Sequence, residues 1–380
     1  GWLLADNNFS VRLKDINWEV LGKGHSTIHQ LFKESLKRKK ITSAQMSMRF
    51  NLVSSTVDYT GFNNVDLVIE AATEDLPIKN IIFKECENAL SPTAIVASNT
   101  SSLPISEMSK AFQHPERFVG LHFFNPVNRM PLVEVIPGEK TSEETLATVV
   151  DLCRKIGKTP IIVSDCPGFL VNRIFMMGAN EVMWMFQEGV PMPTLERVFS
   201  DFGMPMSPFL LSDEVGNDVC YKVAKTLEKA YGERMHCPEI VRLMSENGLY
   251  GKKNGKGFYI YTHNKAILNP EVQRLLAKLQ PTNTEITDRN IKDRMICAMI
   301  NEAARCIEEK VVASPGYLDM AMIMGVGFPP FRGGVLRYAD TLGIDYVVAQ
   351  LKNFEATYGP RFTPAPSLRS MIKKNEKFYP

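Results

Sequence analysis

The fold is decided by the stretch Arg117-Phe118-Val119-Gly120-Leu121-His122-Phe123-Phe124-Asn125-Pro126 and by Pro131-Leu132-Val133-Glu134-Val135-Ile136, which follows it closely. Each segment is an apolar, β-rich run bounded by turn residues, which predicts two short buried strands joined by a short loop. One strand carries the imidazole of His122 and the other carries the carboxylate of Glu134. Because an unpaired charge is costly among apolar side chains, we expect these two groups to meet.

A histidine that is oriented by a carboxylate can take up or release a proton near neutral pH, which makes it a general base or a general acid. His122 and Glu134 are therefore candidate catalytic residues. The alternative is that His122 is a core histidine with satisfied hydrogen bonds and that Glu134 faces solvent at a strand edge, since structural ion pairs are also common.

The composition limits the classes of protein to which the chain can belong. A chain of 380 residues is long enough for two or three domains, and 44% hydrophobic with 23% charged residues is typical of a globular protein. The net charge of +2 argues against a nucleic-acid partner, and no apolar run is long enough to predict a transmembrane segment. The seven cysteines are scattered without a Cys-x-x-Cys pair, which indicates reduced thiols and argues against a metal site.

Short apolar strands alternate with helices in residues 1–165. Besides the two strands above, the predicted strands are 9–15, 65–72, 94–97 and 159–163. This alternation predicts a doubly wound α/β layer, in which ligands bind at the carboxyl ends of the strands. The polar candidates at those ends are Asp15, Glu74, Asn99, Ser101, His122 and Asn125.

Two of these candidates have specific interpretations. In dinucleotide-binding βαβ units an acid that ends a strand, as Asp15 does, hydrogen-bonds the adenosine ribose and favours NAD over NADP. Ser101 is either a ligand contact or an ordinary turn or cap residue before the helical turn that begins near residue 103.

The second half of the chain is helical and contains an internal repeat. Asn172-Arg173 and Asn180-Glu181 recur at the same spacing as Asp293-Arg294 and Asn301-Glu302. Two copies of one helical unit are therefore expected, at 166–283 and 284–380, with a polar linker over about residues 262–288. Asn172 begins the first helix and is a candidate to reach a ligand at the strand ends.

With these residues assembled, the sequence resembles the L-3-hydroxyacyl-CoA dehydrogenase family. It resembles most closely the dehydrogenase part of the multifunctional fatty-acid oxidation enzymes, the bacterial alpha subunit and its peroxisomal and mitochondrial relatives. Multifunctional members carry two helical copies, as this chain does. The motifs that carry the resemblance are 98–102 (SNTSS), 122–126 (HFFNP), 133–135 (VEV), 167–173 (PGFLVNR), 251–259 (GKKNGKGFY) and 325–331 (GVGFPPF).

The resemblance implies a Rossmann-type NAD-binding domain at 1–165, with a parallel sheet, followed by two all-α C-terminal domains. It implies NAD-dependent oxidation of L-3-hydroxyacyl-CoA to 3-oxoacyl-CoA, with His122 as the general base and Glu134 as its orienting carboxylate. Ser101 and Asn172 would hydrogen-bond the substrate. The positions that match NAD contacts are Asp15, Ala72, Glu74, Lys79, Ser101 and Asn125.

The resemblance also sets expectations outside these residues. Family members have the first strand and the Gly-rich NAD turn immediately before the position of Gly1, and multifunctional members have a hydratase domain before that, so enoyl-CoA hydratase (lyase) activity and a thiolase partner are expected of the parent protein. The compartment would be the cytoplasm in a bacterium, or the peroxisome or mitochondrion in a eukaryote.

Two alternatives remain open at this point. One is an NADP-dependent 3-hydroxyacid dehydrogenase that acts on free acids, although such enzymes use a lysine-based site and have no place for the pair of His122 and Glu134. The other is a non-catalytic structural or interaction module of the same fold.

Overall fold

The protein, described by a computed structural model over residues 1–262, 265–282 and 286–380, folds into two compact units, Gly1–Asp165 and Cys166–Pro380. The two units meet in the sequence between Asp165 and Cys166, and the predicted division of residues 166–380 into two helical copies stays a prediction. The predicted boundary between those copies, at 283 and 284, lies outside the described residues.

The first unit is an α/β layer. Its helices are α1 Trp2–Asp6, α2 Trp18–Lys37, α3 Ser43–Phe50, α4 Leu76–Ala89, α5 Ile105–Ser109 and α6 Glu143–Lys155. Its strands are β1 Val11–Lys14, β2 Val53–Thr56, β3 Leu67–Glu70, β4 Ile95–Ser98, β5 Phe118–Phe123, β6 Leu132–Pro137 and β7 Thr159–Ile162. Short 3₁₀ helices occupy Phe62–Asn64 and Pro115–Arg117.

The strands form two sheets. In the described residues β1 pairs only with β2, in parallel, and the other five strands follow the order β3-β4-β5-β6-β7. That sheet is parallel except where β5 meets β6, which are antiparallel. The predicted parallel layer is thus confirmed, with one antiparallel junction where the short loop between β5 and β6 reverses the chain, since a parallel crossover needs a dozen or more residues.

The register of β5 and β6 places His122 directly opposite Glu134. Alternate residues on these strands, including Leu121 and Val133, pack into the core cluster that contains Val149 of α6. Because side chains alternate between the faces of a sheet, His122 and Glu134 lie on the opposite face. Gly120 shares that face, and a Cβ there would lie 2.7 Å from Ile105 of α5, so only glycine fits this close approach.

The second unit is helical apart from one hairpin. Its helices are α7 Val171–Gln187, α8 Met192–Phe202, α9 Pro208–Val215, α10 Asn217–Tyr231, α11 Glu239–Glu246, α12 Pro270–Lys278, α13 Asp288–Glu308, α14 Pro315–Val326, α15 Val335–Leu342, α16 Ile344–Tyr358 and α17 Pro366–Lys374. Short 3₁₀ helices occupy Gly232–Met235, Pro330–Arg332 and Pro360–Phe362, and the antiparallel hairpin consists of β8 Tyr259–Thr262 and β9 Lys265–Leu268.

The predicted polar linker over residues 262–288 is partly wrong. It contains β9 and α12, and the helix buries Val272, Leu275 and Leu276 along one face. Polar residues dominate this stretch, so its composition suggested a linker, whereas the three apolar side chains at helical spacing are sufficient to anchor a helix.

Helices α7 and α13 pack along each other. Two buried ion pairs join them, each with its arginine on one helix and its glutamate on the other. Arg173 of α7 donates Nε–H to Glu302 of α13 at 2.6 Å, and Arg294 of α13 donates Nε–H to Glu181 of α7 at 2.7 Å. All four side chains are 2% exposed or less. This reciprocal pairing is what two copies of one unit related by a pseudo-two-fold axis produce.

The two copies also share a contact made by an aspartate. The carboxylate of Asp213 accepts the backbone N–H groups of Phe258 and Tyr259, each at 2.9 Å. In the second copy, the carboxylate of Asp340 accepts the N–H groups of Phe378 and Tyr379 at 3.0 and 2.9 Å. Each copy therefore contains a Phe-Tyr pair whose backbone N–H groups donate to an aspartate of its third helix.

All seven cysteines lie in the described part of the chain, and none forms a disulfide. Burial raises the pKa of the Cys86 thiol to about 12, which keeps it protonated and unreactive. Over the described ranges no helix combines the length and the apolar character needed to span a membrane.

Replacing Gly257 by alanine is expected to destabilise the second unit by about 3 kcal/mol, because overpacking next to a buried group forces it to move. A Cβ at this position would lie 1.9 Å from Asp213 Oδ1 and would displace the carboxylate that holds Phe258 and Tyr259. Chemical denaturation followed by circular dichroism measures the effect. Gly24→Ala is the control, since a Cβ there meets nothing within 4 Å, and equal stability of the two variants would contradict this account.

Candidate active site

The predicted pair of His122 and Glu134 is present and buried. His122 Nδ1 lies 2.7 Å from Glu134 Oε2, and the residues are 6% and 0% exposed. The ring of Phe124 lies 4.5 Å from the imidazole, centroid to centroid, and limits its rotation. A carboxylate can only accept hydrogen bonds, so the imidazole tautomer that fits this contact has its hydrogen on Nδ1 and its acceptor nitrogen at Nε2.

Glu74 organises the turn that carries Ser101. Its carboxylate accepts the Thr100 hydroxyl at 2.7 Å, the Ser101 backbone N–H at 2.7 Å and the Ser101 hydroxyl at 2.9 Å. Glu74 follows β3 and Ser101 follows β4, and the two strands are parallel neighbours. The carboxyl ends of these strands are therefore joined by charge-assisted hydrogen bonds, and the Ser101 hydroxyl is held by Glu74.

Asn99 connects the carboxyl end of β4 to β5, the strand that carries His122. Its Oδ1 accepts the backbone N–H of Phe123, the last residue of β5, at 2.9 Å. Sequence analysis placed Asn99 at this edge without giving it a role. The structure shows that it links the end of β4 to the end of β5, next to His122.

Lys79 is placed differently from the other positions that match NAD contacts. Its ammonium lies 2.6 Å from Glu70 Oε2, and the residue is 1% exposed. Because an ammonium has three N–H donors, its contact with Glu70 does not decide whether it also binds a ligand, and the match of Lys79 to an NAD contact stays a prediction. Sequence analysis missed Glu70, although an acid at the end of an apolar strand, with a lysine nine residues later, was a visible signal.

The remaining candidates for NAD contacts are accessible. Asp15 follows β1, is half-buried, and its Oδ1 accepts the N–H of Ile16 at 2.7 Å, while Ala72, Glu74 and Asn125 are exposed. These residues lie at or beyond the carboxyl ends of their strands, where nucleotides bind to sheets of this kind. The side chains present therefore fit NAD, with Asp15 suited to ribose hydroxyls.

Asn172 belongs to the second unit. It is the second residue of α7 and is half-buried. Its counterpart in the second copy, Asp293, is 2% exposed and accepts the Tyr346 hydroxyl, so that position is enclosed within the unit. Of the two repeated positions, the first is thus the more accessible.

An α/β sheet with exposed polar groups at its strand ends and a carboxylate-oriented histidine among them defines a nucleotide-dependent dehydrogenase. Residues 1–166 match the NAD binding domain of 3-hydroxyacyl-CoA dehydrogenase, and residues 168–261 and 291–378 each match the C-terminal domain of that enzyme. The chain belongs to the 3-hydroxyacyl-CoA dehydrogenase family. The predicted family, Rossmann-type fold and NAD cofactor are confirmed.

Individual relatives agree with this placement. The chain is 42% identical over 374 residues to the fatty acid oxidation complex subunit alpha of Shewanella amazonensis. The aligned residues cover 97% of this chain and 52% of that protein. It therefore spans about half the length of the curated relatives it matches.

Solved structures are similar over different lengths. The 3-hydroxybutyryl-CoA dehydrogenase of Escherichia coli K12 is 25% identical with a TM-score of 0.85, over 98% of this chain and 95% of that one. The (S)-3-hydroxybutyryl-CoA dehydrogenase of Ralstonia eutropha is 32% identical with a TM-score of 0.66, over 69% of this chain and 93% of that one.

Proposed function

We propose that this protein oxidises L-3-hydroxyacyl-CoA to 3-oxoacyl-CoA with NAD as a step of fatty-acid oxidation. The observation that carries the proposal is the buried contact of 2.7 Å between His122 Nδ1 and Glu134 Oε2, at the edge of the sheet where a nucleotide binds. Membership in the family supports the same activity.

His122 is the general base of the proposed reaction. Its Nε2 takes the proton of the C3 hydroxyl, because Nδ1 is held by Glu134. Glu134 offsets the positive charge that the imidazole gains and keeps the ring in one tautomer. NAD, when bound, accepts the hydride that leaves C3.

Ser101 and Asn172 are the two residues proposed to contact the substrate. The Ser101 hydroxyl donates its hydrogen to Glu74, so it is proposed to accept a hydrogen bond from the C3 hydroxyl of the substrate. The Asn172 amide is proposed to donate a hydrogen bond to the reacting oxygen or the thioester region, where a donor that is already oriented needs no reorganisation as charge develops. Asp15, Ala72, Glu74 and Asn125 are the residues proposed to hold NAD.

Replacing Glu134 by glutamine is expected to lower kcat for the reduction of acetoacetyl-CoA by about 100-fold or more, because the amide cannot offset the charge of the imidazolium. NADH affinity, measured by fluorescence titration of the polypeptide as encoded, is expected to stay unchanged. The matched control is Glu116→Gln, which alters an exposed histidine–carboxylate contact, with His114 Nδ1 and Glu116 Oε1 3.2 Å apart. Full activity of the Glu134→Gln protein would show that Glu134 has no role in the mechanism.

Two wider activities are proposed for the polypeptide as encoded. The curated relatives are named as subunits of a fatty acid oxidation complex, which supports association with a partner subunit, while the enoyl-CoA hydratase activity and the identity of the partner as a thiolase rest on the family resemblance. Hydration of crotonyl-CoA tests the first, and co-purification of thiolase activity tests the second. Absence of either activity would withdraw that proposal and leave the dehydrogenase proposal intact.

A further inference from the structure

Helix α12 of the first helical copy is held by one apolar face. It packs against α11 and buries Val272, Leu275 and Leu276, which lie at positions i, i+3 and i+4. This spacing places the three side chains on the same side of the helix. α12 is therefore an amphipathic helix whose apolar side chains fill a groove of the first copy.

Both ends of α12 are tied to that groove. Before the helix, the side chain of Asn269 donates to the Gly257 carbonyl at 2.8 Å, and its backbone N–H donates to the Phe258 carbonyl at 3.0 Å. After the helix, the Thr282 hydroxyl donates to the carbonyl of Glu188, the residue that follows α7, at 3.4 Å. The segment thus runs from Phe258 past α11 to the C-terminal end of α7.

The second copy has the same elements around an open cleft. Helix α17 corresponds to α11, because each follows a Tyr-Gly-x-Arg segment, at 358–361 and at 231–234. Helix α13 corresponds to α7, and Phe378 corresponds to Phe258 by its contact with an aspartate. A cleft of about 470 Å³ lies between α17, the C-terminal end of α13 and residues 376–378. A counterpart of α12 would cross this cleft.

The cleft has an apolar lining and an acidic rim. Its apolar lining consists of Ala304, Ile307, Pro315, Pro366, Met371 and Phe378. Two exposed carboxylates, Glu308 and Glu376, lie at the rim with one ammonium, Lys377. Glu308 also ends α13, where the helix dipole adds negative charge. The rim therefore favours an occupant with a basic side chain, and α12 itself carries two on its exposed side, Arg274 and Lys278.

We infer that this cleft is the docking site for an amphipathic helix of a partner polypeptide, with apolar side chains at positions i, i+3 and i+4 and a basic side chain facing Glu308. Recognition of a helix by a groove uses this spacing of apolar anchors. The first copy supplies such a helix from its own chain as α12. The choice of a partner polypeptide rests on the association with another subunit proposed above.

A peptide with the sequence of residues 268–279, which contains α12 and its cap, is the probe. It is labelled with a fluorophore and titrated with the polypeptide as encoded, and fluorescence anisotropy reports binding. Saturable binding with a Kd below about 1 mM is expected, because a short peptide must become helical when it binds. The same peptide with Leu275→Asp is expected to bind at least about tenfold more weakly, since it loses a central apolar anchor.

Substitutions in the protein locate the binding site. Ser370→Trp places a large ring in the cleft, which Ser370 lines, and is expected to weaken peptide binding at least about tenfold. Arg369→Trp is the matched control, because Arg369 is the exposed neighbour on the same helix and does not line the cleft. Glu308→Lys is expected to weaken binding about threefold or more by reversing a charge at the rim. Thermal unfolding shows that each variant is folded.

Hydrogen exchange distinguishes the two copies. When the peptide binds, the amides of residues 304–308 and 366–371 are expected to exchange at least about threefold more slowly, while those of α11 keep their rates. Slower exchange at α11 alone would mean that the peptide replaces α12 in the first copy, which would overturn the inference.

Three further results would also overturn the inference. One is absence of peptide binding to the polypeptide as encoded, whether another segment of that polypeptide covers the cleft or the cleft accepts no helix. The second is equal binding to the Ser370→Trp and Arg369→Trp proteins, and the third is unchanged binding to the Glu308→Lys protein. Failure of any partner to co-purify would contradict the proposed association, and the titration would still decide whether the cleft binds a helix.

Discussion

Replacing His122 by glutamine is expected to lower kcat for acetoacetyl-CoA reduction by about 1000-fold or more, because the amide that replaces the imidazole cannot exchange the substrate proton. Glutamine has a similar size and can still donate a hydrogen bond to Glu134, which lies 2.7 Å from the imidazole. The packing is therefore expected to survive, and NADH affinity with it. Stopped-flow or steady-state measurement of NADH oxidation reports the rate, and fluorescence titration reports the affinity.

The matched control is His114→Gln, since His114 is an exposed histidine of the same unit with a carboxylate beside it. This control is expected to turn over normally. A His122→Gln protein with wild-type kcat would show that the proton leaves by another route. A wild-type protein that binds NADH and acetoacetyl-CoA without turnover would favour the non-catalytic alternative.

Replacing Arg294 by methionine is expected to destabilise the second unit by about 3–5 kcal/mol, because breaking a buried ion pair leaves a buried charge without its partner. Arg294 is fully buried, and its guanidinium donates to Glu181 at 2.7 Å and to Glu188 at 2.6 and 2.8 Å. Without it, Glu181, which is 2% exposed, loses its fully buried partner and, among the described residues, keeps the contact of 2.7 Å with the more exposed Arg361. Urea denaturation followed by the fluorescence of Trp184 measures the loss.

Arg197→Met is the control for this variant. Arg197 and Asp288 also lie 2.7 Å apart, but both are more than half exposed, and such pairs contribute less than about 1 kcal/mol. Adding Glu181→Gln to Arg294→Met is expected to recover part of the stability, because it removes the charge left behind. Equal stabilities of the Arg294→Met and Arg197→Met variants would contradict the claim that the buried ion pairs between α7 and α13 stabilise the second unit.

The fold was largely predictable because its strands are short, apolar and bounded by turn residues. The contact of His122 with Glu134 followed from sequence for a stronger reason: each is the one ionisable group in an apolar run, and burial forces such groups to meet. The internal repeat was visible in the spacing of Asn172-Arg173 and Asn180-Glu181, and the structure shows that the Arg and Glu of these pairs form the reciprocal ion pairs.

The contacts that the sequence did not predict join residues whose separation along the chain matches no helix, strand or turn pattern. Glu70 meets Ser98 only because β3 and β4 are parallel neighbours in that register, and Lys79 meets both because α4 packs at the strand ends. Similarly, Asp340 receives the N–H groups of Phe378 and Tyr379 by a long-range contact. Apart from the signal given by the spacing of Glu70 and Lys79, such contacts depend on tertiary packing, which no local pattern encodes.

The most direct test of the dehydrogenase assignment is the initial rate of NADH oxidation by the polypeptide as encoded, with acetoacetyl-CoA and with free acetoacetate as alternative substrates. The proposed function predicts rapid, stoichiometric reduction of the thioester and no measurable reduction of the free acid. Bound NADH that is not consumed with acetoacetyl-CoA, or equal rates with the two substrates, would contradict it.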